Sequence, residues 1–282
     1  MNKYIPAPFY IQNSSERTLR GDILFPFAYD ELICSGVAKG AAPFVHIWRH
    51  EKAIVLGPRD RRLPYAERAM EWMRLQGYAV GVRNSGGAAV PLDPGVVNLS
   101  VIAPNPEGRL DFKHEFELMY ELITQTLDKL GIKVDKGEVV GSYCPGEYDV
   151  SVNGRKVCGI SQRRQMKAFI VNSFVNVGGH VRRNAELIRN WYSIATGAAE
   201  GHEPDETVLS SVPEIKPEVM ATLGELGEAG ITVRSFTQSL IATLTEWGGA
   251  EGRHPDKPSM QQLDQMARLL RERYDNNDNA PE

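Results

Sequence analysis

Apolar side chains recur every three or four positions in three segments of the N-terminal half, and this period is typical of amphipathic helices. The first segment covers residues 26–37, and the second begins at Pro64 and ends before Gly77. The third begins at Asp111 and ends at Gly131. Proline suits a first helical turn, aspartate an N-cap and glycine a C-terminal cap, so the flanking residues support these predictions.

Short runs of β-branched and aromatic residues lie between the helical segments and predict strands. Residues 44–48 and 52–56 are predicted to pair with each other, because only a short connection separates them. Further strands are predicted at 78–83, near 96–103 and at 168–177, with a hairpin over about 147–162.

The pattern becomes mostly helical after about residue 180. Ser235 with Gln238, and Ser259 with Gln262, have the spacing of capping boxes that open the last two helices. The polar tail 275–282 is predicted to be disordered. The whole pattern predicts an α+β fold: a mixed or antiparallel sheet flanked by helices, with a helical C-terminal portion, in one domain over residues 1–274.

Composition narrows the possible functions. The chain has 282 residues, 42% of them hydrophobic, and a net charge of −4, which gives no basic excess for binding nucleic acid. It has no apolar run long enough to span a membrane and no apolar signal core at its N-terminus, so we expect a cytoplasmic protein. Cys34, Cys144 and Cys158 are too scattered for a disulfide framework or a zinc site, and no metal site is predicted.

The segment from Gly141 to Asp149 places one thiol, that of Cys144, in a proline- and glycine-containing loop. Such loops are usually exposed and often carry function, so Cys144 is a candidate nucleophile, although a buried apolar cysteine is the alternative. Cys34 and Cys158 lie among apolar residues and are interpreted as core residues.

A lysine lies close to this loop in the predicted hairpin. The pair Asn153-Gly154 is a strong hairpin-turn signal, and Lys156 is the second residue after it. A lysine held near Cys144 would favour the thiolate and stabilise the oxyanion of a tetrahedral intermediate. The alternative is a solvated lysine on a sheet face.

A glycine-containing loop covers residues 83–90 between two predicted strands. Paired glycines allow the backbone to approach a ligand closely, but a Ser-Gly-Gly sequence also occurs in ordinary turns. It is not a nucleotide-binding P-loop, because no Gly-Lys-Ser/Thr follows. The pairs Arg61-Arg62 and Arg163-Arg164 are interpreted as solvated surface, with an acidic partner as the alternative.

Three segments together resemble the lipoate/biotin protein ligase superfamily, over roughly residues 30–230. They are Trp48 to Gly57, Arg83 to Ala88, and Gly154 to Arg163, in the order that the superfamily shows. The resemblance implies the catalytic-domain fold of these enzymes, followed by a helical extension to residue 274.

Within the superfamily, the motif from Ser142 to Asp149 most resembles octanoyltransferases that use the glycine cleavage H protein as donor. These enzymes move an octanoyl group to lipoyl domains of 2-oxoacid dehydrogenase E2 subunits through a cysteine thioester. The resemblance implies that Cys144 carries the acyl group, that Lys156 favours its thiolate, and that no ATP or metal cofactor is required. It also implies an acyl and oxyanion site formed by Arg83, Ser85, Gly86, Gly87, Ala88, Gly159 and Ile160.

Two departures from the related enzymes bear on the alternatives. The ligase loop has a second arginine and a third glycine where this chain has Asn84 and Ala88, which leaves fewer donors for a nucleotide phosphate. Near Gly141, where the transferases that use acyl carrier protein place their cysteine, there is no thiol. Three alternatives remain: an ATP-dependent ligase, a transferase that uses octanoyl-acyl carrier protein, and a non-catalytic module that binds lipoyl domains.

We expect a monomer, because no coiled-coil heptads are present.

Overall fold

The computed structural model describes residues 5–105, 113–165, 167–201, 203–227, 230–252 and 254–274. The helices are α1 (Leu24–Val37), α2 (Ala66–Leu75), α3 (Lys113–Asp128), α4 (Val181–Ala195), α5 (Glu206–Ser210), α6 (Leu223–Leu226), α7 (Val233–Glu246) and α8 (Met260–Tyr274). The strands are β1 (Phe9–Asn13), β2 (Phe44–Trp48), β3 (Ala53–Leu56), β4 (Ala79–Val82), β5 (Val90–Leu92), β6 (Val96–Pro104), β7 (Asp135–Lys136), β8 (Val150–Val152), β9 (Arg155–Arg164), β10 (Ala168–Asn176) and β11 (Gly249–Glu251).

A large mixed sheet forms the centre of the fold, with the strand order β11-β1-β2-β6-β10-β9-β8-β7. Strand β1 pairs in parallel with both β11 and β2, and the remaining neighbours are antiparallel. The α+β prediction of a mixed sheet flanked by helices is therefore confirmed.

A second, small sheet has the order β4-β3-β5. The prediction that 44–48 and 52–56 pair with each other is wrong, because β2 joins the large sheet and β3 joins the small one. The connection between β2 and β3 passes from one sheet to the other. Two hydrophobic segments with the spacing of a hairpin therefore belong to two different sheets.

Helices cover the two sheets in separate layers. One apolar core lies between the large sheet and helices α3 and α7, and includes Leu99, Leu122 and Leu240. A second core contains the small sheet with side chains of α1, α2 and α4, and it includes Trp48 and Phe174 of the large sheet. The Cys144 loop belongs to this second core, so the candidate site lies between the two sheets.

The predicted hairpin turn is confirmed, since Asn153 and Gly154 have positive φ angles of 51° and 72°, as a type I′ turn requires. Ser259 and Gln262 form the predicted capping box. The box at α7 instead uses Thr232 as its cap, with Ser235 at its third helical position.

Three predictions concern residues outside the described part of the chain: the Asp111 cap, the following Phe112 and the tail 275–282. None of the helices built from described residues is long and apolar enough to cross a membrane.

Candidate active site

Cys144 lies in the loop between β7 and β8, and its backbone adopts the left-handed conformation with φ of 49°. A residue with a Cβ rarely adopts this conformation, so the surrounding contacts must hold it in place. The side chain is buried, with 7% of its surface exposed, which corrects the expectation of an exposed loop thiol. The loop is folded into the core between the sheets rather than extending into solvent.

Two donors contact the sulfur of Cys144. The backbone N–H of Ala88 donates to Sγ at 3.3 Å, and the Nη2 of Arg83 donates at 3.5 Å. The sulfur of Cys144 is therefore fixed in position by one backbone N–H group and one guanidinium. The glycine-containing loop and the Cys144 thiol, which the sequence analysis identified separately, are thus in contact.

Arg83 lies under the glycine loop and fixes its shape. Its Nε donates to Gly86 O at 2.9 Å, and its Nη2 donates to Ala88 O at 2.7 Å. Gly87 has φ of 96°, and a Cβ on it would lie 2.5 Å from Arg83 Nη2 and 2.8 Å from the sulfur of Cys144. Only glycine fits at this position.

A buried acid and a phenol support the other side of the loop. Gly57 N–H and the Tyr192 hydroxyl donate to the Asp60 carboxylate at 2.7 and 2.8 Å, and Ala89 N–H donates to the Tyr192 oxygen at 3.2 Å. Burial raises the pKa of Tyr192 well above its usual value, so its hydroxyl stays protonated and can donate to Asp60. The network joins α4 and the end of β3 to the glycine loop.

Lys156 is fully buried beneath the Cys144 loop, which excludes a solvated lysine on a sheet face. Its ammonium forms an ion pair with Asp149 at 2.8 Å and donates to the carbonyl oxygens of Tyr143 and Cys144 at 3.0 and 2.6 Å. Burial raises the pKa of Asp149, and the Lys156 charge opposes that shift. The predicted proximity of Lys156 to Cys144 is therefore present, and the ammonium of Lys156 contacts the backbone of the nucleophile loop and Asp149.

A largely apolar pocket lies beside Cys144. Its floor is formed by paired positions of the large sheet, where Trp48, Asn98, Phe174 and Gly159 are neighbours across four strands. A Cβ on Gly159 would lie 2.5 Å from the Phe174 ring, so glycine is required there. The opposite wall comes from α1 and the small sheet, through Phe27, Val55, Val90 and Leu92.

Apart from Lys156, the predicted site residues occupy two positions around this cavity. Arg83, Cys144, Gly159 and Ile160 line it, together with residues that the sequence analysis missed. Ser85, Gly86, Gly87 and Ala88 form the loop beside it, with Ser85 Oγ at 3.4 Å from Ser161 Oγ of β9. Polar residues inside buried strands, such as Asn98, Ser100 and Asn172, were the sequence signal that could have indicated the cavity floor.

The other two cysteines are core residues, as predicted. Cys34 and Cys158 are fully buried. Burial raises the pKa of Cys34 to about 12 and raises that of Cys158 as well. Because a thiolate is the reactive form of cysteine, neither is suited to nucleophilic chemistry.

The arginine pair at 163–164 is neither solvated surface nor a free docking site. Arg163 pairs with Glu31 of α1 at 3.0 Å, and Arg164 pairs with Glu115 of α3. Glu31 also accepts from Asn84 at 2.8 Å, which ties the start of the glycine loop to α1. Among the residues that the structure describes, no group of three or more His, Cys, Asp or Glu side chains is placed to hold a metal ion.

Solved structures of lipoate ligases share this architecture. A lipoate-protein ligase A bound with ATP superposes with a TM-score of 0.67 at 19% identity, covering 93% of both chains. A putative lipoate protein ligase of T. acidophilum with bound lipoic acid gives a TM-score of 0.65 at 19% identity, covering 95% of this chain and 96% of that one. At these identities the likeness concerns the fold.

Sequence relatives are closer. An octanoyl-[GcvH]:protein N-octanoyltransferase of Geobacillus kaustophilus is 40% identical over 224 residues, which cover 79% of this chain and 77% of that protein. A lipoyl-[GcvH]:protein N-lipoyltransferase of Listeria monocytogenes is 35% identical over 81% of this chain and 80% of that one. The family model of the lipoyl protein ligase A/B catalytic domain matches residues 22–245. The chain therefore belongs to the family of lipoyl protein ligase A/B catalytic domains.

Proposed function

We propose that this protein is an acyltransferase that moves an octanoyl group between lysine side chains of two protein domains through a thioester on Cys144. The donor is the octanoylated glycine cleavage H protein, and the acceptors are lipoyl domains of 2-oxoacid dehydrogenase E2 subunits. The observation that carries the proposal is a thiol held by two donors at the edge of a largely apolar pocket. The names of relatives at 36–40% identity support the same reaction.

In the first step, the Cys144 thiolate attacks the carbonyl carbon of the donor's octanoyl-lysine amide. A C–S bond forms, and the negative charge moves to the carbonyl oxygen, where nearby hydrogen-bond donors stabilise it. The C–N bond then breaks, and the donor lysine leaves as an amine after taking up a proton. The product is a thioester on Cys144 and a deacylated donor domain.

In the second step, the neutral amine of an acceptor lysine attacks the thioester carbonyl. A C–N bond forms, the C–S bond breaks, and the nitrogen releases one proton to solvent, which balances the proton that the donor amine took up from solvent in the first step. Because one lysine amide replaces another, the net reaction is close to thermoneutral. It therefore requires no ATP.

The cavity supplies the binding energy for the acyl chain. Each buried methylene stabilises the complex by about 0.8 kcal/mol, so a chain of eight carbons contributes several kcal/mol without any polar recognition. The walls formed by Phe27, Val55 and Leu92 suit such a chain.

The proposal includes a monomeric enzyme that acts in the cytoplasm. Three free cysteines with no disulfide between them agree with a reducing compartment. Light scattering on the purified protein should give a mass near 31.4 kDa. A mass near twice that value would contradict the monomer.

A transfer assay tests the reaction. Octanoylated H protein and an unmodified lipoyl domain are mixed with the enzyme without ATP, and the acceptor's intact mass is followed. We expect the acceptor to gain an octanoyl group with the wild type and with Cys34→Ala, and no gain with Cys144→Ala. Full transfer by Cys144→Ala would contradict the thioester route, and transfer only in the presence of ATP would indicate a ligase. Transfer only from octanoyl-acyl carrier protein would change the donor.

A lipoyl group is a second candidate for the acyl group. Trp48 Nε1 and Asn98 Nδ2 are buried atoms of cavity-lining residues with no hydrogen-bond partner among the described residues. A dithiolane sulfur is a weak acceptor that such donors can meet, whereas an octanoyl terminus offers none. Parallel assays with octanoylated and lipoylated donors decide between the two groups.

A further inference from the structure

We propose that Asn172 is a catalytic residue whose side-chain oxygen accepts a hydrogen bond from the lysine nitrogen that leaves or attacks at Cys144. The inference rests on the proposed function in one respect, namely that Cys144 carries the acyl group and a lysine amine receives it. It gives a function to a row of polar side chains that crosses the large sheet.

The row crosses five strands of the large sheet on the face that α1 covers. Directly paired positions on neighbouring strands share a face of the sheet, and at this level all of them are polar. They are Gln12 of β1, His46 of β2, Ser100 of β6, Asn172 of β10 and Ser161 of β9. Helix α1 contacts the row through Tyr29 and Asp30. Polar groups inside a fold are costly unless they are hydrogen-bonded, so the course of these bonds decides which atoms are left for a ligand.

The buried carboxylate of Asp30 fixes the direction of the hydrogen bonds. A carboxylate only accepts, so Ser100 Oγ donates to Asp30 Oδ2 at 2.5 Å and His46 Nδ1 donates to Oδ1 at 2.8 Å. The hydroxyl of Ser100 has then used its hydrogen, and its oxygen accepts from Asn172 Nδ2 at 2.8 Å. The orientation of the Asn172 amide follows from this chain, because its nitrogen must face Ser100.

Asn172 lies where this chain of hydrogen bonds reaches the acyl pocket. Its side chain lines the pocket, as do those of Ser100 and Ser161. Within the part of the chain that the structure describes, Asn172 Oδ1 has no hydrogen-bond partner. The atom that this side chain offers to a ligand is therefore an acceptor, and its ligand must bring an N–H or O–H donor.

Two contacts place Asn172 beside the nucleophile loop. Phe174 is two positions further along β10, so it lies on the same face about 7 Å away. Its ring stacks on that of Tyr143, which precedes the nucleophile in the chain. Ser161, paired with Asn172, has its Oγ at 3.4 Å from Ser85 Oγ of the glycine loop. A lysine nitrogen about 3–3.5 Å from the carbonyl carbon on the sulfur is therefore also within reach of Asn172.

An amide oxygen suits a nitrogen that must keep its lone pair. A neutral amine that donates one N–H group to Asn172 Oδ1 has its lone pair free to attack the thioester carbonyl. The same oxygen accepts from the amide N–H of the donor's octanoyl-lysine and orients the bond that breaks. No proton passes to Asn172, so the balance of the two transfer steps is unchanged.

Separating the two half-reactions tests this role. p-Nitrophenyl octanoate acylates the thiol without any lysine nitrogen, and intact mass follows the octanoyl adduct on Cys144. The acyl-enzyme is then mixed with Nα-acetyl-lysine amide or with an unmodified lipoyl domain, and loss of the adduct gives the rate of aminolysis. Asn172→Leu should change acylation by less than about threefold and lower aminolysis by both amines about tenfold, since one hydrogen bond to the reacting nitrogen is lost. Ser100→Ala, which frees the amide to rotate, should lower aminolysis by a smaller factor.

The matched control is Asn98→Leu, the same substitution at an asparagine of the same pocket, in the row that contains Trp48 and Phe174. Its ratio of aminolysis to acylation should stay within about threefold of the wild-type ratio. An unchanged ratio in Asn172→Leu, or the same change in both variants, would overturn the proposal. Thermal unfolding checks that each variant is folded, and Asn172→Ala takes the place of Asn172→Leu if the latter is not.

The small amine separates this inference from the proposed function. A wild type that transfers octanoyl to Nα-acetyl-lysine amide in an Asn172-dependent way, but to no lipoyl domain, would refute the proposed function and leave this inference standing.

Discussion

At the scale of single residues, sequence spacing predicted that Cys144 and Lys156 lie together but not what each contacts. The two residues are 12 positions apart around a hairpin, so local geometry alone brings them close. The contact between Arg83 and Cys144 spans 61 positions and depends on how the two sheets pack. Neither the hydrophobic period nor the spacing of residues along the chain indicates how the sheets pack. Lys156, and not Arg83, was therefore predicted to lie near the thiol.

Gly87 offers a residue-scale prediction. Gly87→Ala would place a Cβ 2.8 Å from the sulfur of Cys144 and force a side chain into a conformation with φ of 96°. We expect transfer activity to fall at least 100-fold, because a displaced nucleophile loses its alignment with the carbonyl.

The control is Gly40→Ala, since Gly40 has a similar φ of 104° with nothing within 4 Å of the added Cβ. Both variants should lose about 1 kcal/mol of stability from the left-handed backbone. Equal activities for the two variants would show that the Gly87 contact with the thiol is not required.

At the scale of elements, turns and helix caps were predicted more reliably than the pairing of strands. The Asn153-Gly154 turn and the Ser259–Gln262 box formed as predicted, because each depends on residues within a few positions. The predicted pairing of β2 with β3 was wrong, and β11 at the sheet edge was not predicted. A three-residue strand that pairs with β1 from the far end of the chain leaves no periodic signal.

Helix α4 is capped from outside its own sequence, which leads to a prediction on stability. Asp93 accepts from His180 N–H at 3.2 Å and from Asn184 Nδ2 at 2.8 Å, so its carboxylate occupies the helix N-terminus. Asp93→Ala should lower the free energy of unfolding by about 1–2 kcal/mol in urea titrations. The matched change, Asp205→Ala at the cap of the short helix α5, which has no buried residue, should lower it less. Similar losses in both variants would contradict a special role for Asp93.

At the scale of the whole molecule, the cavity is formed where the two sheets and α1 meet. The hydrophobic pattern of the sequence did not predict this arrangement. The sequence indicated buried strands, yet it did not indicate that β3 and β5 lie over the large sheet. The hydrophobic pattern supplied the fold class, the family resemblance supplied the type of catalytic domain, and the structure supplied the walls of the cavity. The polar positions Asn98 and Asn172 in otherwise apolar strands mark the cavity floor in retrospect.

A buried histidine makes global stability depend on pH. Burial lowers the pKa of His50, so the unfolded chain binds a proton more readily than the folded one. Stability should therefore be fully present above about pH 6.5 and decrease as the pH falls below that value. Urea unfolding at pH 5.5 and 7.5 measures the difference, which His50→Asn should reduce and His180→Gln, at an exposed position, should not. An unchanged difference in His50→Asn would contradict this origin.

The most direct test of the central claim is the intact mass of the enzyme after mixing with octanoylated H protein in the absence of ATP. The proposed mechanism predicts an octanoyl adduct that hydroxylamine removes and that peptide mapping places on Cys144. An adduct on another residue, or no adduct while the acceptor domain is still octanoylated, would contradict it.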